Sequence, residues 1–192
     1  MSNSSGSSIL KILPGRFGPS IVAARNIRWG EEIHRFGDCE VLEQPNERTL
    51  QLSPFEHAFE PKVIALVDHS CDPNTLVDVA HRALIANQDI AEGTHLTRFY
   101  PSTDWVLTQP FRCLCGARNC VGEVRGAKFL ESEVLFSHYI STQIRELYHS
   151  LGDLGQPAHS RPNRRPSVLG DRRKRLRLVQ DMYQGQERRK HS

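Results

Sequence analysis

The sequence lacks any apolar run approaching the roughly 18 residues needed to span a bilayer. Its opening, MSNSSGSS, lacks the basic and apolar regions of a secretory signal. These two absences lead to the expectation of an intracellular protein, nuclear or cytoplasmic, with no membrane role. Hydrophobic residues are a modest 38% of the chain and charged residues 24%, ordinary values for a globular protein. Its 192 residues suffice for one domain with a real core plus appendages. Cysteine is scarce, at five residues, but its placement is uneven. In a reducing compartment clustered cysteines hold metal more often than they form a disulfide framework, which is the plain alternative.

The net charge of +3 conceals a division. Residues 151–192 carry eleven Lys/Arg against four Asp/Glu, and the first 150 residues carry fourteen against eighteen. The body is mildly acidic and the tail basic. The segment GQPAHSRPNRRPS reads as a linker without fixed structure. RRKRLR, within a stretch that suits a short basic helix, reads as an import signal, a nucleic-acid contact or simply a solvated tail.

Along the body, short strand-like segments recur: SILKIL, SIVAAR, EEIHRF, KVIALV, RALIAN and HLTRFY. Turn residues separate them at Pro14-Gly15, Gly37-Asp38, Ser53-Pro54, Pro73-Asn74 and Gly93, a pattern that predicts a β-rich domain. RNIRWGEEI from Arg25 and QDIAEGTHL from Gln88 echo each other, each with an Ile three residues before a Gly turn. After the cysteine cluster, FLESEVLFSHYISTQIRELYHSLG has apolar residues at helical spacing and predicts one long helix ending near Gly152.

Cys113, Cys115 and Cys120 form C-x-C-x4-C around Gly116, three of the four ligands a tetrahedral zinc site wants. Cys71, on a turn in DHSCDPN, is the best donor of the fourth. His69 and Cys39 are rivals, although Cys39 reads as an ordinary buried thiol.

These segments carry a resemblance. DHSCDPN resembles the asparagine-histidine-serine-cysteine-x-proline-asparagine signature of SET-domain protein lysine methyltransferases, and FRCLCGARNCVGEVRG resembles their post-SET cysteine cluster. IVAARNIRWGEEI resembles the opening of the same domain, and ALIANQDIAEGTHLTRFY the segment that ends in the family's catalytic tyrosine. Order and spacing agree over residues 9 to 130; no pre-SET segment is recognisable. The resemblance implies a mainly β fold of several small sheets with a threaded, pseudoknot-like segment, a post-SET zinc cluster and a C-terminal helix. The domains would run 1–8 (disordered N-terminus), 9–105 (SET-like), 106–126 (post-SET zinc segment), 127–152 (helix) and 153–192 (basic disordered tail). It further implies one structural zinc on Cys71, Cys113, Cys115 and Cys120, and S-adenosylmethionine bound by Arg16, Phe17, Gly18, Asp68 and His69. Trp105, in PSTDW, is assigned to the adenine by position alone, and Asn74, like His69, to contact with the cofactor or to shaping the threaded turn. Tyr100 would stand beside the reacting amine, to orient it or help deprotonate it.

Three departures bear on function. Asp68 replaces the family's asparagine, so it accepts hydrogen bonds but cannot donate. PGRFGPS lacks the G-x-G spacing, and Pro19 removes a backbone N–H. Arg98 stands where an aromatic wall of the lysine channel is usual, with Phe99 in place of a common aspartate. An inward arginine would oppose an incoming lysine and favour a carboxylate-bearing molecule. The leading expectation is therefore methyl transfer from S-adenosylmethionine to a protein lysine, a histone being one substrate class. The alternatives are a SET-like scaffold acting on a small molecule, and an inactive domain that binds a partner. The sequence leaves the oligomeric state open.

Overall fold

The computed structural model describes residues 9–15 and 18–151. The expected disordered N-terminus, the basic tail, Arg16 and Phe17 lie outside them. Among the described residues no helix is long and apolar enough to cross a membrane.

The fold is mainly β, in five small sheets among the described residues. Strands β1 (Leu10–Gly15) and β2 (Gly18–Ala23) form a hairpin. Next come β3 (Glu32–Arg35), β4 (Glu40–Leu42), β5 (Thr49–Ser53) and β6 (Glu56–Phe59). They are followed by β7 (Asp68–His69), β8 (Thr75–Asp78), β9 (Ala83–Ala86) and β10 (Thr97–Arg98). The last strands are β11 (Phe111–Arg112) and β12 (Glu123–Val124), before helices α1 (Ser132–Leu135) and α2 (Thr142–Leu151). One three-stranded sheet has the order β3-β9-β8, another β4-β6-β5. β7 and β10 pair in parallel, Thr97 opposite Asp68 and Arg98 opposite His69.

The two echoing segments pair with each other. Ile27 and Ile90 exchange both backbone hydrogen bonds at 2.8 Å. The Asn26 carboxamide accepts from the Glu92 amide, and the Asp89 carboxylate from the Trp29 amide, a reciprocal exchange. The relation continues outward, since Gly30 donates to Ala86 and Gly93 to Ala23. A local near-two-fold therefore joins the start of the domain to the run that leads into β10, and both isoleucines are buried.

Among the described residues the buried apolar side chains form two main cores and a small third cluster of Leu76, Ala83 and Ile85. The largest, with Ile21, Ile27, Phe36, Leu50, Leu84 and Leu96, lies among the sheets. The second gathers Cys71, Phe99, Cys113, Val124, Leu135 and Ile144 under the C-terminal segment.

Two expectations are corrected here. The apolar run KVIALV is not a strand: Ile64–Leu66 form a 3-10 turn. The Glu60 carboxylate accepts from the amides of Lys62, Val63 and Ile64 at 3.0, 2.8 and 2.8 Å, and this cap outweighs β-branched propensity. The long helix over 127–152 is also divided, by residues 136–141. There Ser141 hydrogen-bonds the Ser102 carbonyl through both its amide and its hydroxyl. The His138 ring stacks on Phe99 with centroids 3.8 Å apart and meets the Cys71 carbonyl at 3.0 Å. Tertiary partners take over groups that a continuous helix would use internally.

Candidate metal centre and adjoining cavity

The chain beyond β10 brings the cysteines together. Gly122 accepts from the Cys113 amide at 2.8 Å, beside the β11–β12 pair, and Gly116 turns at φ +71° between the paired cysteines and Cys120. The Sγ atoms of Cys71, Cys113, Cys115 and Cys120 all lie within 4.8 Å of one another, with Cys71 and Cys113 3.8 Å apart. A tetrahedron of Zn–S bonds near 2.3 Å has edges of about 3.8 Å. The donor set therefore fits a zinc ion, and the four cysteines could hold one. Cys39 lies elsewhere, half-buried, its sulfur accepting from Arg82 at 3.2 Å.

Burial raises the Cys71 thiol well above its ordinary value and takes Cys113 to about 11. For Cys115 burial acts upward too, but hydrogen bonds from backbone amides and the neighbouring thiols outweigh it, and the thiol falls to about 7. Metal binding must displace protons from the buried sulfurs.

His69 stands between this centre and Tyr100. The Tyr100 amide donates to its Nδ1 at 3.3 Å, so Nε2 carries the hydrogen and points it at Cys71 Sγ, 3.4 Å away. Burial, with Arg98 and His138 adding to it, takes the imidazole down to about 3 and keeps it neutral. His69 thus braces the Cys71 sulfur and leaves the four-sulfur shell complete.

The parallel β7–β10 pair sets Tyr100, two residues past Arg98, beside Asp68–His69. Its ring meets His69 edge-on at 5.2 Å and Phe111 at 6.0 Å, and its hydroxyl donates to the Val67 carbonyl at 3.1 Å. Burial raises the phenol; the charge of Arg98 pulls the other way, and Asp68 and Asp104 push it up. A cavity of about 210 Å³ opens beside the ring, bounded by Thr49, His57, Asp104, Val106 and Phe111. Burial lowers the His57 pKa, against the upward pull of Asp104.

Arg98 is buried, and its guanidinium lies over the Tyr100 ring, 4.2 Å from the centroid. It donates to Thr103 at 2.8 Å and to the buried Asp104 carboxylate at 3.3 Å. Asp104 also accepts from the Gln51 amide of β5 at 3.1 Å. The fixed charge that the sequence placed here is thus compensated inside the protein, a third arrangement beside the inward and outward ones. Asp104 is the partner that sequence reasoning missed; it directly precedes Trp105 in PSTDW.

Asp68 accepts from the Ser20 hydroxyl at 2.6 Å, and Ser20 lies 3.0 Å from His95 Nδ1. The side chain of Asn74 laces the crossing, donating to the His95 carbonyl at 2.7 Å and accepting from the Thr97 amide at 2.8 Å. Gly18 is exposed at the end of the hairpin. The ring of Trp105 is half-buried and edge-on to Tyr148 of α2, 6.3 Å away. Sequence reasoning also missed Phe111, two residues before the first cysteine of the cluster, and His138, a polar interruption of a helical apolar stripe.

No model of a known protein family matches the chain. Among curated proteins it is similar to the methyltransferase flvH of Aspergillus flavus, 35% identical over 82 residues, which cover 42% of this chain and 46% of that one. The match thus spans about half the length of that relative. Among solved structures it is similar to KRYPTONITE in complex with mCHG DNA and SAH, at 20% identity and TM-score 0.44, over 59% of this chain and 28% of that one. It is also similar to the methyltransferase domain of human histone-lysine N-methyltransferase SETMAR, at 17% identity and TM-score 0.45, over 58% and 55% of the two chains.

Proposed function

We propose that this protein is a SET-type methyltransferase that transfers a methyl group from S-adenosylmethionine to an amine, the side chain of a protein lysine. The observation that carries the reading is the parallel β7–β10 pairing, which sets Asp68 and His69 beside Tyr100 while Cys71 ties the same motif to the cysteine cluster. The similarity to a curated methyltransferase supports the reaction class.

The residues present suit the cofactor. Asp68 offers an anion to an ammonium group, and Tyr100 and Phe111 offer aromatic surface to a sulfonium. Arg98, the fixed cation beside them, is neutralised by Asp104. Phe111, exposed and in contact with His69 and Tyr100, suits the adenosine better than Trp105, whose ring Tyr148 engages. Gly18, with Arg16 and Phe17 beyond the described residues, would complete the cofactor's surroundings. The bound cofactor supplies a methyl group on positively charged sulfur.

Tyr100 has its single hydroxyl hydrogen committed to Val67 and a raised pKa, so at neutral pH it is a phenol with oxygen lone pairs to spare. It therefore accepts a hydrogen bond from the amine and orients it. It does not act as a base. The neutral amine, so oriented, would take the methyl group on its lone pair, and its surplus proton would leave to water. The four-cysteine zinc site suits a reducing, intracellular setting.

Calorimetric titration of the zinc-replete protein with S-adenosylmethionine tests the reading. Micromolar binding is expected, followed by transfer of labelled methyl to lysine-bearing protein. Absence of any binding would remove the cofactor and the reaction together.

A further inference from the structure

We infer that Ser20 and His95 form a positioning relay that aims the Asp68 carboxylate at the ammonium group of bound S-adenosylmethionine. The inference rests on the cofactor reading above and gives a role to two residues, Ser20 of PGRFGPS and His95 of HLTRFY, to which those motifs assign none.

The argument is one of donors and acceptors. An ionised carboxylate only accepts, so its orientation depends on donors around it. Ser20, 1% exposed on β2, supplies one at 2.6 Å to Oδ2 of Asp68. A serine hydroxyl has one hydrogen, and this bond commits it. The contact at 3.0 Å between Ser20 Oγ and His95 Nδ1 therefore has the ring nitrogen as donor, with the hydrogen on Nδ1. The chain runs His95 Nδ1–H to Ser20 Oγ–H to Asp68, from an exposed imidazole to a half-buried carboxylate.

Backbone contacts lock its geometry. His95 is bridged to Val22, and the Leu96 amide donates to Ile21 at 2.9 Å, so the histidine is held against β2 at the level of Ser20. Asn74 grips the His95 carbonyl from the other side. One carboxylate oxygen is thereby fixed by a neutral donor, and the group keeps its charge and its remaining lone pairs for a ligand. An ammonium, with three N–H donors, is the complementary group. Where an asparagine would orient itself with its own amide hydrogens, this chain uses a serine and a histidine from segments distant in sequence.

The test is a pair of titrations on the full-length, zinc-replete protein. One uses S-adenosylmethionine and the other 5′-methylthioadenosine, which keeps the adenosine and sulfur but lacks the amino-acid end. Ser20→Ala and His95→Ala should each weaken S-adenosylmethionine roughly fivefold to tenfold, the worth of one hydrogen bond. Both should leave methylthioadenosine binding unchanged. His95→Asn, which puts an amide donor near the Nδ1 position, should restore most of the loss. His95 is exposed, so its variants carry the test even if the buried Ser20→Ala protein folds poorly. Equal weakening of both ligands, or of neither, would overturn the relay. Failure of the unmodified protein to bind S-adenosylmethionine would instead overturn the cofactor reading, and with it the ligand assigned to the relay.

Discussion

Tyr100, Cys71 and Arg98 each hold a position that sequence alone could suggest, but their chemistry is set by neighbours. Because the Tyr100 hydroxyl donates to Val67, Tyr100→Phe should leave cofactor binding intact and lower turnover by roughly 10²-fold or more, as for loss of a positioned polar group. Unchanged turnover would remove the tyrosine from the mechanism. Cys71→Ser should lower zinc content, beyond the roughly 10- to 100-fold loss of affinity that follows removal of an outer partner of a ligand. Cys39→Ser, whose sulfur faces Arg82, should retain zinc; equal metal loss in both variants would refute the assignment. Arg98→Met strands the buried Asp104 carboxylate and should cost about 3–5 kcal/mol in denaturant unfolding. A loss below 1 kcal/mol would mean that Asp104 relaxes toward water.

Among the elements, the near-two-fold pair around Ile27 and Ile90 shows how a weak sequence echo becomes a structural unit. Each copy supplies the other's missing partners, down to the reciprocal Asn26 and Asp89 caps. The zinc segment is docked more tightly still. Gly126 has φ +116°, and a Cβ there would meet the Trp105 carbonyl oxygen at 2.5 Å. Gly126→Ala should therefore destabilise the protein by about 2 kcal/mol or more, combining backbone strain with a backbone clash. Thermal unfolding measures this, and an unchanged midpoint would mean that residues 105–106 shift at little cost. The C-terminal helix reads as continuous because apolar spacing is local information. The Ser141–Ser102 and His138–Cys71 contacts that divide it join positions 39 and 67 residues apart.

At the scale of the whole molecule, the second core is built around sulfur. Phe99, Val124, Leu135 and Ile144 pack with Cys71 and Cys113, so metal and C-terminal packing stand or fall together. Zinc removal by a chelator should loosen residues 111–151 while the larger core keeps its slow-exchanging amides, as read by hydrogen exchange. Uniform protection after zinc loss would show that the metal is dispensable to that packing. Burial raises the Cys71 and Cys113 thiols, and binding metal expels their protons, so affinity for zinc should fall as pH is lowered. A pH-independent affinity would be incompatible with thiolate ligation by these residues.

The sequence by itself determined the parts whose chemistry is written in residue type and short spacing. These are the C-x-C-x4-C cluster, the DHSC turn, the tyrosine closing HLTRFY and the β-rich character set by recurrent turns. Tertiary structure alone decided what those groups can do. It brought Cys71, the expected fourth donor, up to the other three cysteines and put His69 on its sulfur. It cancelled Arg98 with Asp104, and it set Ser20 and His95 behind Asp68. The physical reason is that ligand geometry, charge compensation and hydrogen-bond pairing depend on distances between chain segments 42, 48 and 75 residues apart, which only packing brings into contact.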